Sequence, residues 1–377
     1  VLLDEYSRQR GQITANGQLL AYSVATNGRY RFLRVYPDPQ AYAAVTGFYS
    51  LRFSSTGLER AEDPVLNGSD ERLFGRRLAD FLTGRDPRGG NVDTTISPRV
   101  QQAAWNAMQD GCGGPCKGSV VALEPSTGKI LAMVSAPSYD PNLLAGHDTE
   151  AQGTNWAQLR DDPNAPLTNR AISERYPPGS TFKVITTAAA LQAGITDNEP
   201  LTAAPRIPLP DSTTTLENYG GTPCGDGPTA PLREAFARSC NTAFVQLGIR
   251  VGGDAIRNTA DAFGFDTAPA AIPLQVAEST VGPMSDAAAV GMSSMGQKDV
   301  AVTPLQNAMV AAAIANDGML MQPYLVDSLE GPDLSAVSTT SPTEQRRAVS
   351  AQVAAKLTDL MVGAEKFTQQ KGAIPGV

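Results

Sequence analysis

Apolar residues near the start of the chain fall in two short β-like runs, "GQLLAYSVAT" (17–26) and "RYRFLRVYP" (29–37), on either side of the turn signal Thr26-Asn27-Gly28. They read as two strands joined by a turn. "ERLFGRRLADFL" (71–82) carries Leu73, Leu78 and Phe81 broadly on one side and reads as a helix. "TGRDPRGGN" (83–91) is then a loop and a domain boundary. In "SPRVQQAAWNAMQD" the apolar spacing turns helical, with Ser97 as N-cap and Pro98 at the first helical position. In "GSVVALEPSTGKILAMVSA" (118–136) two apolar runs flank a Pro-Ser-Thr-Gly turn, the pattern of a hairpin.

Beyond a loop-rich stretch, "TFKVITTAAALQAG" (181–194) predicts a helix closed by Gly194. Pro, Thr, Gly and Asp dominate residues 202–231, which read as one long loop. "PLREAFARS" and "TAFVQLGIRVG" are helical patterns separated by a break at Cys240-Asn241. "VTPLQNAMVAAAIANDG" predicts a helix with Thr303 as N-cap, Pro304 at N1 and Gly318 as terminator. A last helix is expected where Val353, Leu357, Leu360 and Met361 make one stripe. Strands and helices mix without regular βα alternation, which argues for an α+β fold.

A chain of 377 residues suggests two domains, divided here into 1–90 and 91–377. The net charge of −8 speaks against a nucleic-acid partner. No apolar run is long enough to cross a membrane. A chain beginning at Val1 reads as processed or trimmed. Cys112 and Cys116 share the loop "GCGGPC", while Cys224 and Cys240 lie sixteen apart with no histidine nearby, a poor zinc pattern. No metal and no cofactor is expected. The preferred reading is two disulfides, Cys112–Cys116 and Cys224–Cys240, and an oxidising compartment; four reduced structural cysteines remain the alternative.

The candidate chemistry lies in "YPPGSTFK" (176–183). On a helix, Ser180 and Lys183 would share one face, with Ser180 at the N-terminus where the dipole favours developing negative charge. A serine needs a base to become a nucleophile, and a lysine serves if its surroundings leave it neutral. His147, the one histidine, reads as a surface residue, so a Ser-His-Asp triad does not fit. Ser-x-x-Lys alone is weak, since "STGK" (126–129) matches too, but in a turn between strands. The support is "SCN": Ser239 can relay a proton and the Asn241 amide can orient a peptide carbonyl.

Taken together, "YPPGSTFK" and "SCN" resemble the penicillin-binding transpeptidases of class B. So do "VVALEPSTGKILAMVSAPSYDPN", "LTNRAISERYPPGSTFKVITTAAALQAG", "MGQKDVAVTPLQNAMVAAAIANDGMLMQPYLV" and, near the start, "RGQI" (10–13). The likeness runs over essentially the whole chain and looks closest to the actinobacterial, mycobacterial-type branch. It implies a transpeptidase domain with an antiparallel sheet and helices, preceded by a smaller mixed N-terminal domain acting as pedestal or docking surface. It implies a D,D-transpeptidase that cross-links peptidoglycan stem peptides during growth and division. Ser180 would be the nucleophile, Lys183 its base, Ser239 the proton relay and Asn241 the peptide holder. β-Lactams would acylate Ser180. It further implies an extracytoplasmic setting, an N-terminal membrane anchor and division or elongation proteins as partners. A serine β-lactamase, a D,D-carboxypeptidase or a non-catalytic β-lactam-binding scaffold are the alternatives. One departure stands out: each Thr-Gly in the chain lacks the preceding Lys, His or Arg of the family's third motif, Lys-Thr-Gly. The resemblance would put that strand just past Val377, so the catalytic domain is expected to be incomplete here.

Overall fold

The computed structural model of the chain describes residues 6–73, 88–269 and 272–368. They form an α+β structure in two compact units. The first gathers the described residues up to 174 with 272–276 and 322–343; the second gathers 175–269, 277–321 and 344–368.

The first unit is built on a six-stranded sheet. Its order is Ala336–Thr339, Val326–Glu330, Asn91–Thr94, Ile13–Ala15, Gln18–Ala25, Phe32–Val35. The last two are the strands expected around Thr26-Asn27-Gly28, and they pair antiparallel. Asn91–Thr94 lies between Ile13–Ala15, its one parallel neighbour, and Val326–Glu330. The boundary expected near residue 90 therefore falls beside a shared sheet and does not coincide with the division by compactness. The helix expected over 71–82 lies outside the described residues except for Glu71–Leu73, a short 3-10 turn.

The "RGQI" stretch shows why this sheet holds its register. Arg10 Nε meets Glu59 Oε2 at 2.6 Å, and Arg34 Nε meets Glu59 Oε1 at 2.6 Å. Tyr36 donates to the same carboxylate at 3.1 Å. Glu59 is fully buried and the two arginines nearly so. Burial alone would raise the Glu59 pKa, but Arg34 and Arg10 outweigh it and hold the carboxyl below the ordinary glutamate value. Gly11 comes next because nothing larger fits: a Cβ there would sit 1.7 Å from the Gly90 carbonyl oxygen.

The expected hairpin is present as Gly118–Leu123 against Ile130–Ala136. The helix Pro98–Asp110 packs on it, with Ser97 in the cap position, although the Ser97 hydroxyl makes no capping bond. Fully buried Gln101 fastens helix to strand: its Nε2 donates to Met133 O at 3.0 Å and its Oε1 accepts from Met133 N at 2.8 Å. His147 departs from its reading as a surface residue. It is half-buried, packs against Tyr30 and Tyr6, and its Nε2 lies 3.0 Å from Phe32 O. The aromatic residues around it supplied the partner surface that its polar, Gly-flanked neighbourhood concealed.

The second unit is mainly helical. Lys183–Gln192 is buried at Lys183 and from Ile185 to Ala190, packed by Asn241–Val251, Gly253–Ala262 and Ala351–Thr368. Pro304–Ala315 begins as expected, with Thr303 Oγ1 accepting from Gln306 N at 3.1 Å. In Ala351–Thr368 the buried residues are Ala354, Leu357 and Leu360, so Ala354 faces inward in place of Val353 and Met361. Residues 202–231 are not one loop. Pro200–Thr202 pairs with Thr229–Pro231, and Arg206–Pro208 with Thr215–Glu217, both antiparallel. Strands of three residues are too short to impose a visible period on so Pro- and Gly-rich a sequence.

Replacing Glu59 by Gln should destabilise the first unit by about 3 kcal/mol or more, because two buried guanidinium groups lose their shared counter-charge. Urea unfolding followed by tryptophan fluorescence reads this directly, since both tryptophans, Trp105 and Trp156, belong to this unit. The sign with pH follows from the depressed carboxyl. The Glu59 contribution is complete above the unfolded glutamate pKa of about 4.3 and is lost as pH falls through the lower folded value.

Candidate active site

The chain approaches Ser180 through Tyr176-Pro177-Pro178-Gly179, and Gly179 takes φ +54°. Gly179–Phe182 is a 3-10 turn, and the α-helix begins only at Lys183. This differs from the single α-helix expected from the sequence, and it matters. With three residues per turn, positions i and i+3 eclipse, so Ser180 stacks directly over Lys183. Lys183 Nζ lies 3.2 Å from Ser180 Oγ.

The turn is held from behind. Gly179 N donates to Gly296 O at 3.0 Å, and Tyr176 and Val302 exchange two backbone bonds at 2.9 Å. Gly296, at φ +74°, lies so close that a Cβ would stand 2.1 Å from Gly179 O. Below the turn, buried Phe182 sets its ring edge-on to Phe265, and Thr186 Oγ1 donates to Ser294 O at 2.6 Å.

Ser239 and Asn241 come from a helix–helix corner. Leu232–Ala237 ends in a Schellman cap: Cys240 N donates to Ala235 O at 2.9 Å, and Ser239 N to Phe236 O at 3.0 Å. The residue in the left-handed position of that cap is Ser239, at φ +56°, where glycine is usual. Asn241 opens the following helix, Asn241–Val251. The corner turns three oxygens toward Lys183 Nζ: Ser239 O at 2.7 Å, Ser239 Oγ at 3.0 Å and Asn241 Oδ1 at 2.8 Å. Ser239 Oγ also lies 2.9 Å from Ser180 Oγ.

Lys183 is 2% exposed. Its four oxygen partners are uncharged, and among the described residues no carboxylate forms an ion pair with it. Burial pushes its pKa down to about 8. By contrast, Lys129 of the competing "STGK" pairs with Asp327 at 2.8 Å, which raises its pKa. Among the described residues no group of His, Cys, Asp and Glu is arranged to hold a metal ion.

The ribbons of residues 200–231 form part of this corner. Cys224 and Cys240 are disulfide-bonded, and both are buried among Leu201, Leu232 and Phe244. Cys240 stands between Ser239 and Asn241, so the bridge fastens the ribbons to the backbone of the motif. Asn241 Nδ2 donates to Glu217 O at 3.1 Å, and Asn218 Oδ1 accepts from Thr242 N at 3.0 Å. Cys112 and Cys116 are bonded too, in the first unit, where Cys116 packs beside Met108. Gly296 and the Glu217 carbonyl were missed from sequence. Gly296-Gln297 stands in the sequence only within a longer likeness, and a backbone carbonyl leaves no signal in a sequence.

The profile described as penicillin binding protein transpeptidase domain matches residues 118–377, and that described as penicillin binding protein A dimerisation domain matches 10–92. A peptidoglycan D,D-transpeptidase of Mycolicibacterium smegmatis is 77% identical over 377 residues, covering all of this chain and 77% of that protein. The imipenem acyl-enzyme complex of Mycobacterium tuberculosis penicillin-binding protein A superposes with a TM-score of 0.98 at 76% identity, over 100% of this chain and 86% of that one. The penicillin G acyl-enzyme complex of the same protein gives 0.96 at 74%, over 98% and 84%.

Removing the Cys224–Cys240 bridge in a Cys224→Ser, Cys240→Ser variant should lower the stability of the second unit by about 3 kcal/mol, the loop-closure value for a loop of this size. Both tryptophans lie in the other unit, so the measurement is hydrogen exchange along residues 183–192. Unchanged protection there would show that the bridge does not brace the corner.

Proposed function

The chain belongs to the family of penicillin-binding protein transpeptidases and is a peptidoglycan D,D-transpeptidase; from that premise we propose that Ser180 is its nucleophile and Lys183 the base. One observation carries this assignment. The two hydroxyls and the amine form a triangle of 3.2, 3.0 and 2.9 Å around a lysine that burial has brought within reach of neutrality.

In this reading Ser180 Oγ attacks the penultimate D-Ala carbonyl of a stem peptide and passes its proton to Lys183. The ester forms, the bond to the terminal D-Ala breaks, and Ser239 hands a proton to the departing amine. The amine of a second stem then attacks the ester, gives up its proton through the same pair, and frees Ser180. Asn241 has two tasks. Its Oδ1 holds Lys183, and its amide group hydrogen-bonds the donor peptide. β-Lactams acylate Ser180 by the same attack.

We also assign residues 1–90 to a non-catalytic domain and 91–377 to the transpeptidase domain. The ranges of the two matching profiles support that division. An extracytoplasmic setting is supported by the two disulfides. Membrane anchoring and docking of division or elongation proteins belong to the same reading.

Fluorescent penicillin should label the chain, and Ser180→Ala should abolish the label. The acylation rate should rise about tenfold per pH unit below 8 and level off above it, as the neutral fraction of Lys183 grows. A rate independent of pH between 6 and 9 would remove Lys183 as the base.

A further inference from the structure

A cavity of about 470 Å³ opens in the first unit, built wholly from its own residues. Its volume is within the range of about 300–1,000 Å³ typical of small-molecule sites. Leu167, Ile172 and Leu274 form an apolar part of its lining, and Ile172 and Leu274 are buried. Among the described residues no aspartate or glutamate lines it.

Uncommitted polar groups in the lining include Arg60, Gln275 and the buried Oδ1 of Asn169. Arg60 and Gln275 are both exposed, and among the described residues neither side chain makes a hydrogen bond or an ion pair. Arg60 stands on the short helix Gly57–Ala61, next to Glu59. Glu59 turns into the buried ion cluster and is consumed by Arg10 and Arg34. Arg60 is thus a guanidinium at a cavity of mixed polar and apolar lining, with no carboxylate among the described lining residues to answer it. A guanidinium presents a planar fork of donors suited to carboxylate, sulfonate or phosphate.

We propose that this cavity is a ligand site for a small organic anion, whose apolar body rests on Leu167, Ile172 and Leu274 and whose anionic group pairs with Arg60. It uses none of the residues assigned to acyl transfer, so the proposal stands apart from that assignment.

The test uses two fluorescent probes of one scaffold. 8-Anilinonaphthalene-1-sulfonate carries the anion, and N-phenyl-1-naphthylamine lacks it. The purified chain should bind the sulfonate saturably at one site. Arg60→Gln should weaken sulfonate binding by about tenfold or more and leave the uncharged probe unchanged. Ala44→Trp, which fills the cavity, should abolish both. Ser180→Ala should alter neither. Arg60 is exposed and unpaired, so Arg60→Gln should fold as the parent does, and circular dichroism checks this. Equal sulfonate affinity in the parent and Arg60→Gln would overturn the proposal. So would saturable binding that survives Ala44→Trp, or no binding by the parent.

Discussion

An ammonium group withdrawn from water is costly to hold without a counter-ion, and Lys183, which has none among the described residues, is the point around which the second unit is organised. A carboxylate would pair with the charge and fix it; four neutral oxygens surround its three hydrogens without doing so. The result is an amine whose proton is only loosely retained. The oxygens must be close and correctly aimed, since a buried lysine that lost them would carry an unsatisfied group as well as an unfavourable charge. The rigidity of everything nearby follows from that demand.

Two kinds of support meet it. The local kind is the 3-10 turn, which brings Ser180 over Lys183 within four residues. The distant kind is the corner at 239–241, more than fifty residues further along the chain, which supplies the other three oxygens. A local contact needs only the right helical pitch. A distant one needs the corner itself to be immobile. That is the office of the Schellman cap, of the Cys224–Cys240 bridge and of Asn218, which seats the ribbons on the first turn of Asn241–Val251. The first unit has its own version in Glu59, a buried charge satisfied from two sides.

What could be read from sequence divides along the same line. Ser180, Lys183, Ser239 and Asn241 were legible as motifs because residue type and short spacing carry them, and the hairpin at 118–136 because its apolar runs are long. The pitch of the Ser180 turn was not, since Thr181 and Phe182 suit an α-helix as well as a 3-10 turn. The short ribbons were hidden by Pro and Gly, and the place of His147 depended on Tyr6 and Tyr30, more than a hundred residues away. Gly296 could be seen only as a glycine. Its meaning is a distance to Gly179, and distances between remote segments are not written in residue types.

The backbone at Ser239 has a consequence for how this protein can vary. A non-glycine residue in the left-handed region carries about 1–3 kcal/mol of strain, which glycine would remove. Under selection for folding alone, the backbone at position 239 would drift toward glycine. A library sorted by heat resistance and one sorted by growth in a cell wall should therefore pull this codon in opposite directions, and the gap between them measures what the hydroxyl is kept for.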